Sequence, residues 1–121
     1  MRDEKALALF QEILKKTEAR KLPWKPTADA EKFVASMMGK YSLTLTSYTS
    51  QTNWGEPEGP PRLTLEDEKG NMLVEINDEI DGIEREEMDE LVVFARRIAL
   101  DADEKIDELL SELQKDDDIP F

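Results

Sequence analysis

The chain has 121 residues, 29 acidic side chains against 16 basic, a formal net charge of −13, and neither Cys nor His. Composition therefore excludes zinc centres of the Cys/His type, thiol redox chemistry, disulfide frameworks and any catalytic triad or dyad that needs imidazole or thiolate. A balance this negative repels phosphate backbones and anionic membranes, so neither nucleic acid nor a membrane is expected as a direct partner.

One domain is expected at this length, and the 39% hydrophobic residues fall in periodic clusters, as a folded chain requires. No apolar run approaches the ~20 residues of a membrane span and the N-terminus lacks a signal-peptide core, so the cytoplasm is the expected compartment. The charge is unevenly divided. Residues 1–60 carry nine basic and eight acidic side chains, and residues 61–121 seven and twenty-one, a net of +1 against −14. The first half also holds a basic cluster, Lys15, Lys16, Arg20, Lys21 and Lys25. It could face the acidic half within one chain or between two, at distances within the screening length of about 8 to 10 Å.

In chain order, Ala6, Leu7, Phe10, Ile13, Leu14 and Thr17 recur on one face and predict a helix over residues 3–19, which Pro23 and Pro26 stop. Residues 28–38 fit two periods. Ala30, Phe33, Val34, Met37 and Met38 suit a helix between Thr27 and Gly39, while Phe33, Ala35 and Met37 alternate as in a strand. Tyr41, Leu43 and Leu45 alternate with Ser42, Thr44 and Thr46 and predict a half-buried strand. A polar Gly/Pro loop over 49–61 follows, holding one large apolar side chain, Trp54. Leu63 and Leu65, a turn over 67–71, and Met72, Val74 and Ile76 on one face then predict a hairpin.

Asp81 and Glu84 have capping-box spacing, and Met88, Leu91, Ala95, Ile98, Ala102, Ile106, Leu109 and Leu113 follow at steps of three and four. Read as one helix over 84–114, this segment would run about 46 Å in a domain roughly 35 Å across, so it must overhang or break. The expected break lies at 100–103, where Asp101 and Asp103 could cap a second segment. The expected fold is α+β: an N-terminal helix, an antiparallel meander of four or so strands, and a long C-terminal helix. One domain spans 1–114, and an acidic tail follows over 115–121. Phe10, Leu14, Leu43, Leu65, Val74, Leu91, Ala95 and Ile98 are the expected core.

The charged end of the first helix with Lys21, Leu22 and Trp24, then Phe33, the Gly39 turn into 41–45, and Leu91, Ala95, Arg96 and Arg97, resembles small acidic bacterial helix/antiparallel-sheet/helix proteins of unassigned function. The resemblance carries no functional residue across. It implies that 32–38 is a strand.

No enzyme is visible. With 29 carboxylates, accidental pairs abound, and a solvated face is the ordinary role of any one of them. The nearest calcium-loop match, Asn77, Glu79, Asp81 and Gly82, puts Met88 where a bidentate Glu is needed. Asp116, Asp117 and Asp118 lack a fixed geometry, and no phosphate-cradling glycine loop can be built. No cofactor or metal is expected. The candidate partner-binding residues are Trp24, Trp54, Ile106, Leu109, Leu110 and Leu113: two large aromatics near Pro-rich segments and the apolar stripe of the acidic C-terminal helix. They point to a non-catalytic interaction module that forms a homodimer or binds a basic protein. The alternatives are a nucleic-acid-mimicking inhibitor of a DNA-binding protein and a small carboxylate-based enzyme.

Overall fold

The computed structural model describes residues 3–48, 50, 51, 53–55 and 57–115. Helix α1 (Glu4–Glu18) starts at Asp3, whose Oδ1 accepts the Ala6 N–H at 3.0 Å. It ends in a paired closure, Arg20 N–H to Thr17 O and Lys21 N–H to Lys16 O, that puts Arg20 at φ 60°, a conformation more often given to Gly. The chain then forms β1 (Lys25–Pro26), β2 (Lys32–Met37), β3 (Tyr41–Thr46), β4 (Ser50–Gln51), β5 (Pro57–Glu58), β6 (Arg62–Glu66) and β7 (Met72–Ile76). Helices α2 (Arg85–Ala99) and α3 (Ala102–Lys115) complete it. The main sheet is antiparallel throughout with order β1-β2-β3-β6-β7, and β4 and β5 pair separately within the loop that links β3 to β6. This is the expected α+β meander. The short β1 makes it five strands.

Residues 32–37 are a strand because Phe33 and Ala35 face Leu45 and Leu43 across the β2–β3 pair, and all four are buried. The same alternation runs on through Leu63 and Ile76 and makes one apolar face. Met38 and Gly39, both at positive φ, form the tight turn between β2 and β3, closed by Lys40 N–H to Met37 O. The opposite face is mixed, with Val34, Thr44, Thr64 and Glu75 side by side across four strands.

Two helices cover the apolar face. α1 reaches β7, α2 reaches β1 and β2, and the two pack on each other. Phe10, Ile13 and Leu14 from α1 and Met88, Leu91, Val92 and Ala95 from α2 are buried there. Of the expected core, Phe10, Leu14, Leu43, Leu91 and Ala95 are buried, while Leu65, Val74 and Ile98 are half-buried at its margin. Gly82, at φ 96°, lies so close to α1 that a Cβ would meet the Leu7 side chain at 2.9 Å, which seats the 77–84 loop on the helix.

Two local expectations are corrected, and a third is met. The capping box is shifted by one turn: Glu84 is the N-cap of α2, and its N–H donates to the Glu87 carboxylate at 3.1 Å. Asp81 lies before that turn, three residues upstream of the N-cap. Met72 leaves the face of Val74 and Ile76, because a bulge between Leu65 and Glu66 sets it opposite Glu66 instead. The C-terminal stripe is two helices, with the break inside the expected 100–103 segment. α2 stops at Leu100, and Asp101 turns the chain at φ 50°.

The β6–β7 turn is organised by Asp67. Its Oδ1 accepts the Lys69 and Asn71 N–H groups at 2.9 Å each, and its Oδ2 accepts the Asn71 amide at 3.1 Å. These bonds, the Asn71 side chain's foremost, hold the Asp67 carboxyl below the usual carboxylate range.

Leu91→Ala should cost about 2 to 5 kcal/mol in denaturant titration, since a wholly buried Leu leaves a cavity under the sheet. Thr17→Val should cost about 1 to 3 kcal/mol, because it strands the buried indole N–H of Trp24 that Thr17 Oγ1 now accepts at 2.9 Å. Because the folded state depresses the pKa of Asp67, its contribution to stability is complete above the unfolded value of about 3.9 and is lost as pH falls through the lower folded value. A carbon-detected NMR titration should place its midpoint below that of an unfolded Asp, and Asp67→Asn should remove this part of the acid dependence.

Candidate functional site

The most unusual element is α3. Ile106, Leu109, Leu110 and Leu113 recur at i, i+3, i+4 and i+7, the spacing of an apolar stripe, yet α3 buries none of its residues. Ile106 is 46% exposed, Leu109 59% and Leu110 47%, and Leu113 is half-buried. A break after α2 is the alternative to an overhanging helix that the length of this segment demands. The break is present, but Leu109 stays open to solvent, and α3 has its main contact with α2. The stripe is flanked by Asp103, Glu104, Asp107, Glu108 and Glu112, against Lys105 and Lys115.

Charge fixes the start of α3. Asp103 pairs with Arg20 at the end of α1, and its Oδ1 accepts from Arg97 of α2 at 2.8 Å. Asp103 is thus the anion shared by three helices. At the break the Asp101 backbone carbonyl takes the Lys105 N–H at 3.1 Å, which puts Asp101 at the N-cap position of α3. The basic cluster at the end of α1 thereby lies beside the root of α3, with Lys15, Lys16 and Lys21 exposed.

The two tryptophans part company. Trp24 is 3% exposed with its indole N–H donated to Thr17, so it belongs to the core and presents no surface to a partner. A polar Thr on the buried face of α1, placed opposite a Trp, was the signal for this pairing. Trp54 is 91% exposed in the turn over 53–55, between β4 and β5. Among the described residues no substantial packing joins that hairpin to α3, so the two candidate surfaces are separate.

A further surface escaped the sequence reading. Beside the outer edge of β7 runs a trough lined by Asp3, Lys5, Ala6 and Leu9 of the α1 segment and by Leu73 and Val74. Its only trace in the sequence was the run of Leu73 beside Val74, which breaks the alternation of β7. At the other end of the sheet the β2–β3 and β6–β7 turns flank an open cleft where the Lys40 ammonium sits 5.4 Å from the centre of the Tyr41 ring, beside Asp67, Glu68 and Lys69.

Among the described residues no three carboxylates gather into a metal site, and no buried side-chain polar atom lacks a hydrogen bond. In the calcium-loop segment Asn77 Oδ1 is taken by the Glu79 N–H at 2.9 Å, as in an ordinary turn. Asp116, Asp117 and Asp118, and most of the expected acidic tail, lie outside the described residues. No described helix is long and apolar enough to cross a membrane.

The chain matches no protein-family model, no curated protein and no solved structure. The bacterial resemblance stands on its quoted residues alone.

Proposed function

We propose that the protein is a non-catalytic interaction module that works by self-association through α3. The carrying observation is an amphipathic helix of 14 residues that buries none of them. Helices shorter than about 12 to 15 residues are marginal in water by themselves, and most helical stability comes from covering an apolar face. Exposed apolar stripes of this kind mark interaction surfaces.

Charge favours a second copy as the cover. In an antiparallel, two-fold pairing of α3 with its equivalent, the C-terminal half of one helix, with Glu108 and Glu112, comes to the root of the other. There the ion pair of Arg20 with Asp103 holds the basic end of α1, with Lys15, Lys16 and Lys21. The same chain thus supplies apolar surface for the stripe and cations for its rim. A second reading, a basic protein partner, is favoured by the five acidic side chains of α3 against two basic ones.

Sedimentation equilibrium at micromolar concentration tests this. Self-association predicts a species of twice the 13.9 kDa chain mass that weakens as salt is raised. Leu109→Asp should restore the 13.9 kDa monomer at a cost of about 2 kcal/mol or more of dimer stability, with the thermal unfolding of the domain unchanged. A wild-type chain that stays at 13.9 kDa in low salt refutes self-association and leaves the basic-partner reading.

A further inference from the structure

The bend between α2 and α3 is not imposed by a helix breaker. From Arg85 to Lys115 there is neither Gly nor Pro, and the apolar positions Ala95, Ile98, Ala102, Ile106 and Leu109 keep to steps of three and four straight through it. The turn is made at one residue. Leu100 ends α2, and Asp101 takes φ 50°, a conformation that is costly for a residue with a side chain. Its N–H bonds the Ile98 carbonyl, three residues back, and the Lys105 N–H then bonds the Asp101 carbonyl. In one continuous helix the N–H groups of Ala102, Asp103 and Glu104 would take the carbonyls of Ile98, Ala99 and Leu100.

Little opposes that straightening. α3 buries none of its residues, so moving it uncovers no core. The bent form is held at its root by Asp103, paired with Arg20 and Arg97, whose side chains are 63% and 47% exposed. Ion pairs this open are weak, and salt screens them. Arg20 is itself at φ 60°, so two of the three described non-Gly residues with positive φ meet at this junction.

We infer that α2 and α3 are the arms of a hinge at Leu100 and Asp101, with Asp103 as its ionic latch. Latched, the chain is bent. Released, residues 85–115 become one helix, and the 14 residues of α3 project about 21 Å past the end of α2. The latched form keeps the α3 stripe beside the basic end of α1, and the straight form carries it away. Control of self-association by the latch rests on the function proposed above, whereas the hinge itself does not.

The chain has no Cys, so Glu86→Cys with Ser111→Cys puts one pair of spin labels at exposed positions on the two arms. Pulsed dipolar spectroscopy on labelled chain diluted in excess unlabelled chain then reads the distance within one molecule. A continuous helix separates these positions by about 38 Å along its axis, and the bent form by less. The expected result is two distances, the shorter dominant at low salt. Asp103→Asn, or about 1 M salt with Asp103 intact, should raise the share of the longer at least threefold. Asp101→Ala should raise it and Asp101→Gly lower it, the two differing roughly tenfold or more in the ratio of straight to bent, because Ala favours the helix interior and Gly the positive φ. A single distance that none of these changes moves would overturn the hinge. So would one broad, continuous spread, the mark of a flexible tether. A wild-type chain that sediments as a monomer yet shows both distances upholds the hinge although self-association fails.

Discussion

A sheet with one apolar face has to be covered, and that requirement organises this molecule. Phe33, Ala35, Leu43, Leu45, Leu63 and Ile76 line a single face of the five-stranded meander, and each of the Phe, Leu and Ile side chains gains about 1.5 to 3 kcal/mol from leaving water. One helix is too narrow for five strands. α1 covers the β7 side and α2 the β1 and β2 side, and the contact between them closes the layer. The Trp24 indole is bound to Thr17 of α1, so the segment leaving the helix is fastened to it before β1 begins.

The same requirement explains why the C-terminal stripe is cut. A helix stays on a sheet only while there is sheet beneath it. From Met88 to Ala95 the inward side chains of α2 are buried, but Ile98 and Ala99 are only half-buried. Past the margin nothing holds the helix direction, and the chain turns at Asp101. Asp103 then sets the new direction by pairing with Arg20 and Arg97. Exposed ion pairs contribute about 0 to 1 kcal/mol each, so this junction orients α3 with far less force than the core applies to α2.

Arginine has one consistent use in the acidic half. Arg62 faces Glu75, Arg85 faces Asp89, and Arg97 faces Asp103. Arg96 faces Glu31 at 3.3 Å and lies over the Phe33 ring, 5.7 Å from its centre, while Ser47 donates to the same Glu31 carboxylate. Arg96 therefore ties α2 to the beginning of β2 and the end of β3. With the guanidinium groups committed to these internal ties, the surplus of negative charge rests on outward carboxylates, and the exposed flanks of α3 carry four of them, Glu104, Asp107, Glu108 and Glu112.

The sequence by itself determined the elements whose pattern repeats within a few residues. The stripe from Ala6 to Thr17, the alternation from Tyr41 to Leu45 and the Leu63–Ile76 hairpin are local period signals, and each became the element it implied. The need for a break in the last helix also followed, from length alone. Tertiary structure decided what depends on neighbours distant in the chain. Residues 32–37 became a strand because Leu43 and Leu45 stood ready to face Ala35 and Phe33, a fact that neither period of that segment contains. Trp24 became core because Thr17 could accept its N–H within a buried layer, while Trp54, in an equally Pro-rich neighbourhood, had no such layer and stayed outside. The exposed stripe of α3 and the trough at β7 are also tertiary results. A row of leucines reads the same whether it is covered or bare, and only the edge of the sheet, where cover runs out, separates the two.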